Sequence, residues 1–201
     1  LVMELICHRR NSIKSLNETS SKYGVEVDIR SNDGNLIINH DPLESGILFS
    51  DWLKHYNHGT LILNVKEEGL ERALIDLMEL NNITNYFFLD QSFPFLIKWA
   101  NLGESRSAVR VSEYESIETA LCISGLVDWV WLDCFTKFPI NFSEYKALKD
   151  SGYKICLVSP ELQGRDNNTD ILKILSFMKK NNIHMDAICT KKPNFWEDST
   201  T

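Results

Sequence analysis

Residues 24–41 read GVEVDIRSNDGNLIINHD. An apolar, β-branched run at 25–30 carries Glu26 and Asp28 two residues apart, and residues two apart on a strand share a face. Asp33-Gly34, flanked by apolar runs, is a hairpin signal. It predicts that residues 36–39 fold back beside the strand and bring His40 to its C-terminal end. The alternation of Val25, Val27 and Ile29 with the two carboxylates admits two readings. In a half-buried strand the apolar set faces the core, and Glu26 and Asp28 are solvated. In a strand covered on both faces the carboxylates are buried side by side, where they repel and are costly to desolvate. A hard divalent cation with oxygen ligands removes both penalties.

Working outward, apolar runs of strand length recur at 3–8, 25–30, 61–66, 86–90, 108–112, 129–134, 154–159 and 187–190. Near-continuous apolar runs suit parallel strands covered on both faces. Amphipathic stretches lie between them. Leu70, Ala73, Leu74, Leu77, Met78 and Leu80 mark one helix. Ile171, Leu172, Ile174, Leu175 and Met178 mark another, with Thr169-Asp170 as capping candidates. Phe95, Leu96 and Trp99 mark a third after Pro94. Alternation of this kind builds βαβ units, and eight of them predict an α/β (β/α)8 TIM barrel, one domain over residues 1–201. The chain of 201 residues is short for that fold. The expectation is therefore short loops and little or no helix after the last strand, with Pro193-Asn194-Phe195-Trp196 opening a polar tail.

In such a fold the chemistry sits at the C-terminal ends of the strands. His8, Asp28, Lys66, Asp90, Ser112, Asp133 and Ser159 all fall at or near such ends. His8 and His40 then supply groups able to exchange protons near neutral pH. Arg9 and Arg30 are candidates to clamp a phosphate, with Arg110 a weaker one. Lys66 ends an apolar strand; it reads as a phosphate contact or as a salt-bridge partner of Glu26 or Asp28. His55, His58 and His184 read as surface residues, and Trp129 and Trp131 as core.

His8-Arg9, Glu26-Val27-Asp28, Asp33-Gly34 and His40-Asp41 together resemble the glycerophosphodiester phosphodiesterase family, one of the phosphatidylinositol-phospholipase-C-like barrels. The sharp motif covers roughly the first third of the chain. The resemblance implies one divalent cation, Mg²⁺ or Ca²⁺, on Glu26 and Asp28. It also implies acid–base catalysis by His8 and His40, with Arg9 favoured over Arg30 for the phosphate and Lys66 beside it. The substrate would be a small glycerophosphodiester-type molecule, attacked first by its own neighbouring hydroxyl and then by water. Two departures stand out. Arg10 replaces the glycine that usually follows His-Arg. Asn64-Val65-Lys66 replaces the usual Glu-x-Lys, so Asn64 stands where a carboxylate ligand is expected, with Asp133 as an alternative third ligand. That loss supports a competing reading, a weakened barrel serving as a phosphate-ligand-binding or regulatory module. An aldolase or sugar isomerase on the same fold is a second competitor.

Twenty-one Lys and Arg against 28 Asp and Glu give a net charge of −7, which argues against a nucleic-acid backbone as partner. It leaves room for an anionic small substrate at a locally basic site. The five cysteines show no CxxC spacing and read as reduced thiols of a cytoplasmic protein. No apolar run reaches the roughly 18 residues that span a bilayer.

Overall fold

The computed structural model describes residues 3–165 and 168–200. The chain falls into two compact units. One is Cys7–Ser107; the other comprises the described residues of Leu1–Ile6 and Ala108–Thr201. The first strand, β1, spans Glu4–Cys7.

In the unit Cys7–Ser107, a short helix α1 (Ile13–Asn17) precedes β2 (Gly24–Asn32), β3 (Asn35–Ile38) and β4 (Ile47–Leu48). Then follow α2 (Phe49–Leu53), β5 (Leu61–Val65), α3 (Glu71–Leu80), β6 (Tyr86–Leu89) and α4 (Phe93–Asn101). The strands pair in the order β4-β3-β2-β5-β6. β2, β5 and β6 run parallel, while β3 is antiparallel to both neighbours. Asp33 and Gly34 both take positive φ, at 49° and 78°, so the predicted two-residue hairpin joins β2 to β3. β4 is an addition that the sequence does not announce. The chain reaches it through Gly46, where an added Cβ would stand 2.2 Å from the Ile38 carbonyl oxygen, so only glycine passes there.

The ambiguity of the alternating strand is settled by burial. Val25, Val27 and Ile29 are wholly buried, and so are Glu26 and Asp28. Both faces of β2 are covered, as they must be when helices pack over a parallel sheet. On α3, Leu74 and Met78 of the expected stripe are buried, with Leu70 just before the helix and Ile75 beside them, whereas Ala73 and Leu80 are exposed. α4 starts with Pro94 in its first turn and buries Leu96 and Trp99.

The other unit alternates β7 (Ala108–Val111), α5 (Ile117–Cys122), β8 (Trp129–Leu132), α6 (Phe142–Asp150), β9 (Lys154–Val158), α7 (Asn168–Lys180), β10 (Ala187–Thr190) and α8 (Pro193–Thr200). β7 through β10 pair in parallel in sequence order. Thr169 and Asp170 lie inside the first turn of α7, not at its cap; Asp170 pairs with Arg165 and Lys173. The expected polar tail is corrected. Residues from Pro193 form a helix, because Trp196 is wholly buried and its indole N–H donates to Ser159 Oγ at 2.8 Å. One wholly buried apolar anchor thus docks a helix that is otherwise mostly polar. Among the described residues no helix is long and apolar enough to cross a membrane.

Candidate active site

Glu26 and Asp28 point into a cluster at the C-terminal end of β2, inside the unit Cys7–Ser107. Residues on either side of the strand fasten it there. Arg10 donates its N–H to the Glu26 carbonyl at 2.8 Å, and Asn39 donates to the Asp28 carbonyl at 3.1 Å. The segments bearing His8 and His40 are therefore both tied to β2 at adjacent levels. His8 Nε2 lies 3.8 Å from Glu26 Oε2. His40 holds Asp41 through Nδ1 at 2.8 Å, and its ring is two-fifths exposed.

Each carboxylate is held from several directions. Glu26 Oε2 accepts the Arg9 backbone N–H at 2.6 Å, and Oε1 accepts from Asn64 Nδ2 at 2.8 Å. Asp28 Oδ2 accepts from Asn11 Nδ2 at 2.7 Å, while the Asp28 N–H donates to Asn11 Oδ1 at 3.0 Å. Arg9 Nε stands 3.4 Å from Asp28 Oδ2. Lys66 Nζ sits between Asp28 Oδ1, at 3.3 Å, and Asp90 Oδ2, at 3.0 Å. Arg9 and Asp90 both carry positive φ, 50° and 60°, in a region that side chains other than glycine's seldom adopt. Such backbone persists where surrounding bonds over-determine it, and it concentrates at functional sites. For Arg9 the bond to Glu26 is one such constraint.

Burial raises the Glu26 pKa, and the Asp28 charge raises it further, to about 7, against the opposing pull of Asn64, the Arg9 N–H and Lys66. Two oxygen atoms of the cluster are buried without a well-formed hydrogen bond: Asn64 Oδ1, and Asp28 Oδ1, which has only the Lys66 ammonium at 3.3 Å. Asp28 and Asn64 are neighbours in the β2–β5 register, and Asn64 touches Glu26. Glu26, Asp28 and Asn64 thus offer an oxygen-only donor set with unused lone pairs, the chemistry a hard divalent cation takes. Among the described residues no three His, Cys, Asp or Glu side chains form a metal-binding group. The third donor within this cluster is the neutral Asn64 amide.

Other candidates go elsewhere. Arg30 spends its guanidinium on backbone carbonyls, donating to His40 at 3.2 and 3.0 Å and to Lys66 at 3.2 Å. It braces the two segments and is not a free phosphate clamp. In the other unit, Asp133 is held through one oxygen by Arg110 at 3.0 Å and through the other by Gln163 at 2.6 Å. Both its carboxylate oxygens are therefore engaged, and Arg110 is committed to it. Ser112 and Ser159 bond to Glu115 and Glu161 close by in sequence. His58 is partly buried, its ring bonded to the Thr19 carbonyl at 3.0 Å; His55 and His184 are exposed. Four cysteines are buried and Cys122 is exposed; none is in a disulfide. Burial pushes the thiols of Cys7, Cys134 and Cys156 up, which leaves them unreactive. Asn11 and Asp90 are the participants that sequence reasoning under-read. Asn11 gave no signal, because a loop asparagine has no periodicity; Asp90 was legible only as a strand-end acid.

The fold is that of the α/β (β/α)8 proteins, as the sequence predicts. Two solved structures of phosphodiesterases share it. Glycerophosphodiester phosphodiesterase from Agrobacterium tumefaciens matches with a TM-score of 0.67 at 13% identity, over 99% of this chain and 99% of that one. A glycerophosphoryl diester phosphodiesterase from Parabacteroides distasonis matches with a TM-score of 0.67 at 10% identity, over 98% of this chain and 86% of that one. Tryptophan synthase from M. tuberculosis matches less well, with a TM-score of 0.57 at 10% identity, over 93% and 82%. No protein-family model and no curated protein matches the sequence.

Proposed function

We propose that the chain is a single-domain, divalent-cation-dependent phosphodiesterase that hydrolyses a glycerophosphodiester-type substrate. The observation that carries this reading is the cluster at the end of β2. Two wholly buried carboxylates, an Asn64 amide oxygen without a donor, a histidine and a lysine meet there. The sequence resemblance and the shared fold point the same way. Glu26, Asp28 and Asn64 would hold Mg²⁺ or Ca²⁺, which when bound supplies charge neutralisation to the phosphoryl oxygens. Lys66 and Arg9, freed from Asp28 as the cation takes over that carboxylate, would bind the same oxygens.

His8 and His40 then share the proton transfers. One imidazole takes the proton from the substrate hydroxyl next to the phosphate as its oxygen attacks phosphorus. The bond to the other alcohol breaks, and that oxygen receives a proton from the second imidazole. In the second step the roles exchange, and water opens the cyclic phosphate to a phosphomonoester. In this reading the braces on β2 would hold the two segments ready for one phosphate before substrate arrives.

Release of alcohol from glycerophosphocholine or bis(p-nitrophenyl) phosphate, with and without Mg²⁺ or Ca²⁺, tests the reading; metal-stimulated turnover is expected. A second reading, a phosphate-ligand-binding module without turnover, is favoured by one observation, the neutral Asn64 in the third donor position. Metal-dependent binding of glycerol phosphate with no hydrolysis of any diester would select it.

A further inference from the structure

Asn11 lies in the loop between His8 and α1, inside the unit Cys7–Ser107. The residues on either side of it are anchored. Arg10 donates its N–H to the Glu26 carbonyl at 2.8 Å, and its own carbonyl accepts the indole N–H of the wholly buried Trp52 at 2.8 Å. Ser12 caps α1 in a reciprocal pair with Ser15. Asn11 itself grips Asp28 twice. Its Oδ1 accepts the Asp28 backbone N–H at 3.0 Å, and its Nδ2 donates to Asp28 Oδ2 at 2.7 Å. The first bond fixes the amide, because only its oxygen can accept from an N–H, so the NH₂ group faces the carboxylate. Arg9 Nε adds to the same carboxylate oxygen at 3.4 Å, while Asp28 Oδ1 is left toward the Lys66 ammonium at 3.3 Å. Glu26 is divided likewise: Oε2 accepts the Arg9 backbone N–H at 2.6 Å, and Oε1 meets the Asn64 amide at 2.8 Å.

We infer that Asn11 is a positioning residue: it turns the Asp28 carboxylate so that a single oxygen faces the cation, and thereby biases the site toward Mg²⁺ over Ca²⁺. The inference rests on the divalent-cation reading of this cluster and adds the choice of ion to it. Ca²⁺ takes about six to eight oxygens, often both oxygens of one carboxylate, in a yielding geometry. Mg²⁺ demands a near-octahedral shell, is held through one or two carboxylates and keeps several waters. A carboxylate with one oxygen held by a fixed amide has lost the rotation that two-oxygen ligation needs. Lys66 and Arg9 carry the same sign of charge as a cation, which therefore displaces them from Asp28. The Asn11 amide is neutral and has no such reason to leave. It keeps its grip with the cation bound, as the outer partners that orient ligands in metal sites do.

The test is calorimetric titration of Mg²⁺ and, separately, Ca²⁺ into metal-free wild type, Asn11→Ala and Asn11→Asp. Mg²⁺ should bind wild type at least as tightly as Ca²⁺. In Asn11→Ala the carboxylate is free to turn and offer both oxygens. Mg²⁺ affinity should then fall by about 10- to 100-fold, the usual cost of losing a partner that orients a metal ligand. Ca²⁺ affinity should fall less, so the Mg²⁺-to-Ca²⁺ affinity ratio drops. Asn11→Asp keeps an acceptor for the Asp28 N–H, and with it the tie between loop and strand, but loses the donor to the carboxylate. Its added charge attracts either ion, so its readout is the ratio, which should drop as in Asn11→Ala. A residue that merely fastened the loop would leave that ratio at the wild-type value. Tighter binding of Ca²⁺ than of Mg²⁺ by wild type, an unchanged ratio in the variants, or no binding of either ion at millimolar concentration overturns the inference. Should Asn11→Ala not fold, Asn11→Asp decides alone. Turnover of glycerophosphocholine is followed alongside. Mg²⁺-stimulated turnover with an unchanged ratio ends the inference and leaves the phosphodiesterase reading standing. An Asn11-dependent ratio with no diester hydrolysed ends that reading and leaves the inference standing.

Discussion

Glu26 should make the metal-free protein lose stability as the pH rises. Its carboxyl titrates near an ordinary 4.5 when unfolded and at about 7 when folded, because burial and the neighbouring Asp28 charge both oppose ionisation. Between those values the native state keeps a proton that the unfolded chain has released. Stability therefore falls with rising pH across that window. The favourable contribution is complete below pH 4.5 and is lost as the pH passes through 7. At about 1.4 kcal/mol per pH unit the total is about 3 kcal/mol, a large part of the 5–15 kcal/mol that holds a typical domain together. Urea unfolding of chelator-treated protein at intervals from pH 4.5 to 8 measures it, with Glu26→Gln as the control. The glutamine cannot ionise. Its carbonyl can still accept the Arg9 N–H, while rotation of the Asn64 amide presents the unused Oδ1 to its new NH₂ group. The difference in stability between wild type and Glu26→Gln should therefore shift by about 3 kcal/mol against wild type over this range. Divalent cation should reverse the trend by neutralising the pair, adding about 2.7 kcal/mol at a hundredfold excess over its Kd. A wild-type-minus-variant difference that stays flat from pH 4.5 to 8, or changes in wild type's favour, would refute the reasoning.

Three further outcomes follow from the same geometry. His8→Ala and His40→Ala should each lower phosphodiester turnover by about 10²- to 10⁴-fold, with the double variant little worse than either; circular dichroism should show an unchanged fold. Asn64→Glu adds a third carboxylate to a buried pair. It should lower the melting temperature of metal-free protein yet tighten Mg²⁺ or Ca²⁺ binding by calorimetry, and an unchanged affinity would move the third donor elsewhere. For Glu113, burial works against ionisation, but the N–H groups of Lys137 and Thr136 and the Thr136 hydroxyl outweigh it and hold its pKa down at about 2. Its stabilisation is present above pH 4.5 and lost as the pH falls through 2. After discounting for solvent, Glu113→Gln should cost about 1–2 kcal/mol at pH 7 and almost nothing at pH 2, read by urea unfolding.

The strands and the hairpin were legible in the sequence for local reasons. Periodicity fixes which residues share a face, and Asp33-Gly34 supplies the positive φ that a two-residue turn demands. The helix at Pro193–Thr200 was not legible, because one wholly buried tryptophan docks it and local composition reads as polar. The central question also lay beyond local pattern. Glu26 and Asp28 alternate with valines whether the strand is solvated on one face or covered on both, so their ionisation could not be read from spacing. That was decided by what packs on the second face. The same holds for Arg30, whose type suits a phosphate but whose donors go to the carbonyls of His40 and Lys66, and for Asn11, which meets Asp28 across 17 residues of sequence. Which chemical groups are available, and how each strand presents them, follows from local order along the chain. Which stay charged, which are spent on one another and which remain unsatisfied depends on burial and on partners distant along the chain, and so emerges only from packing.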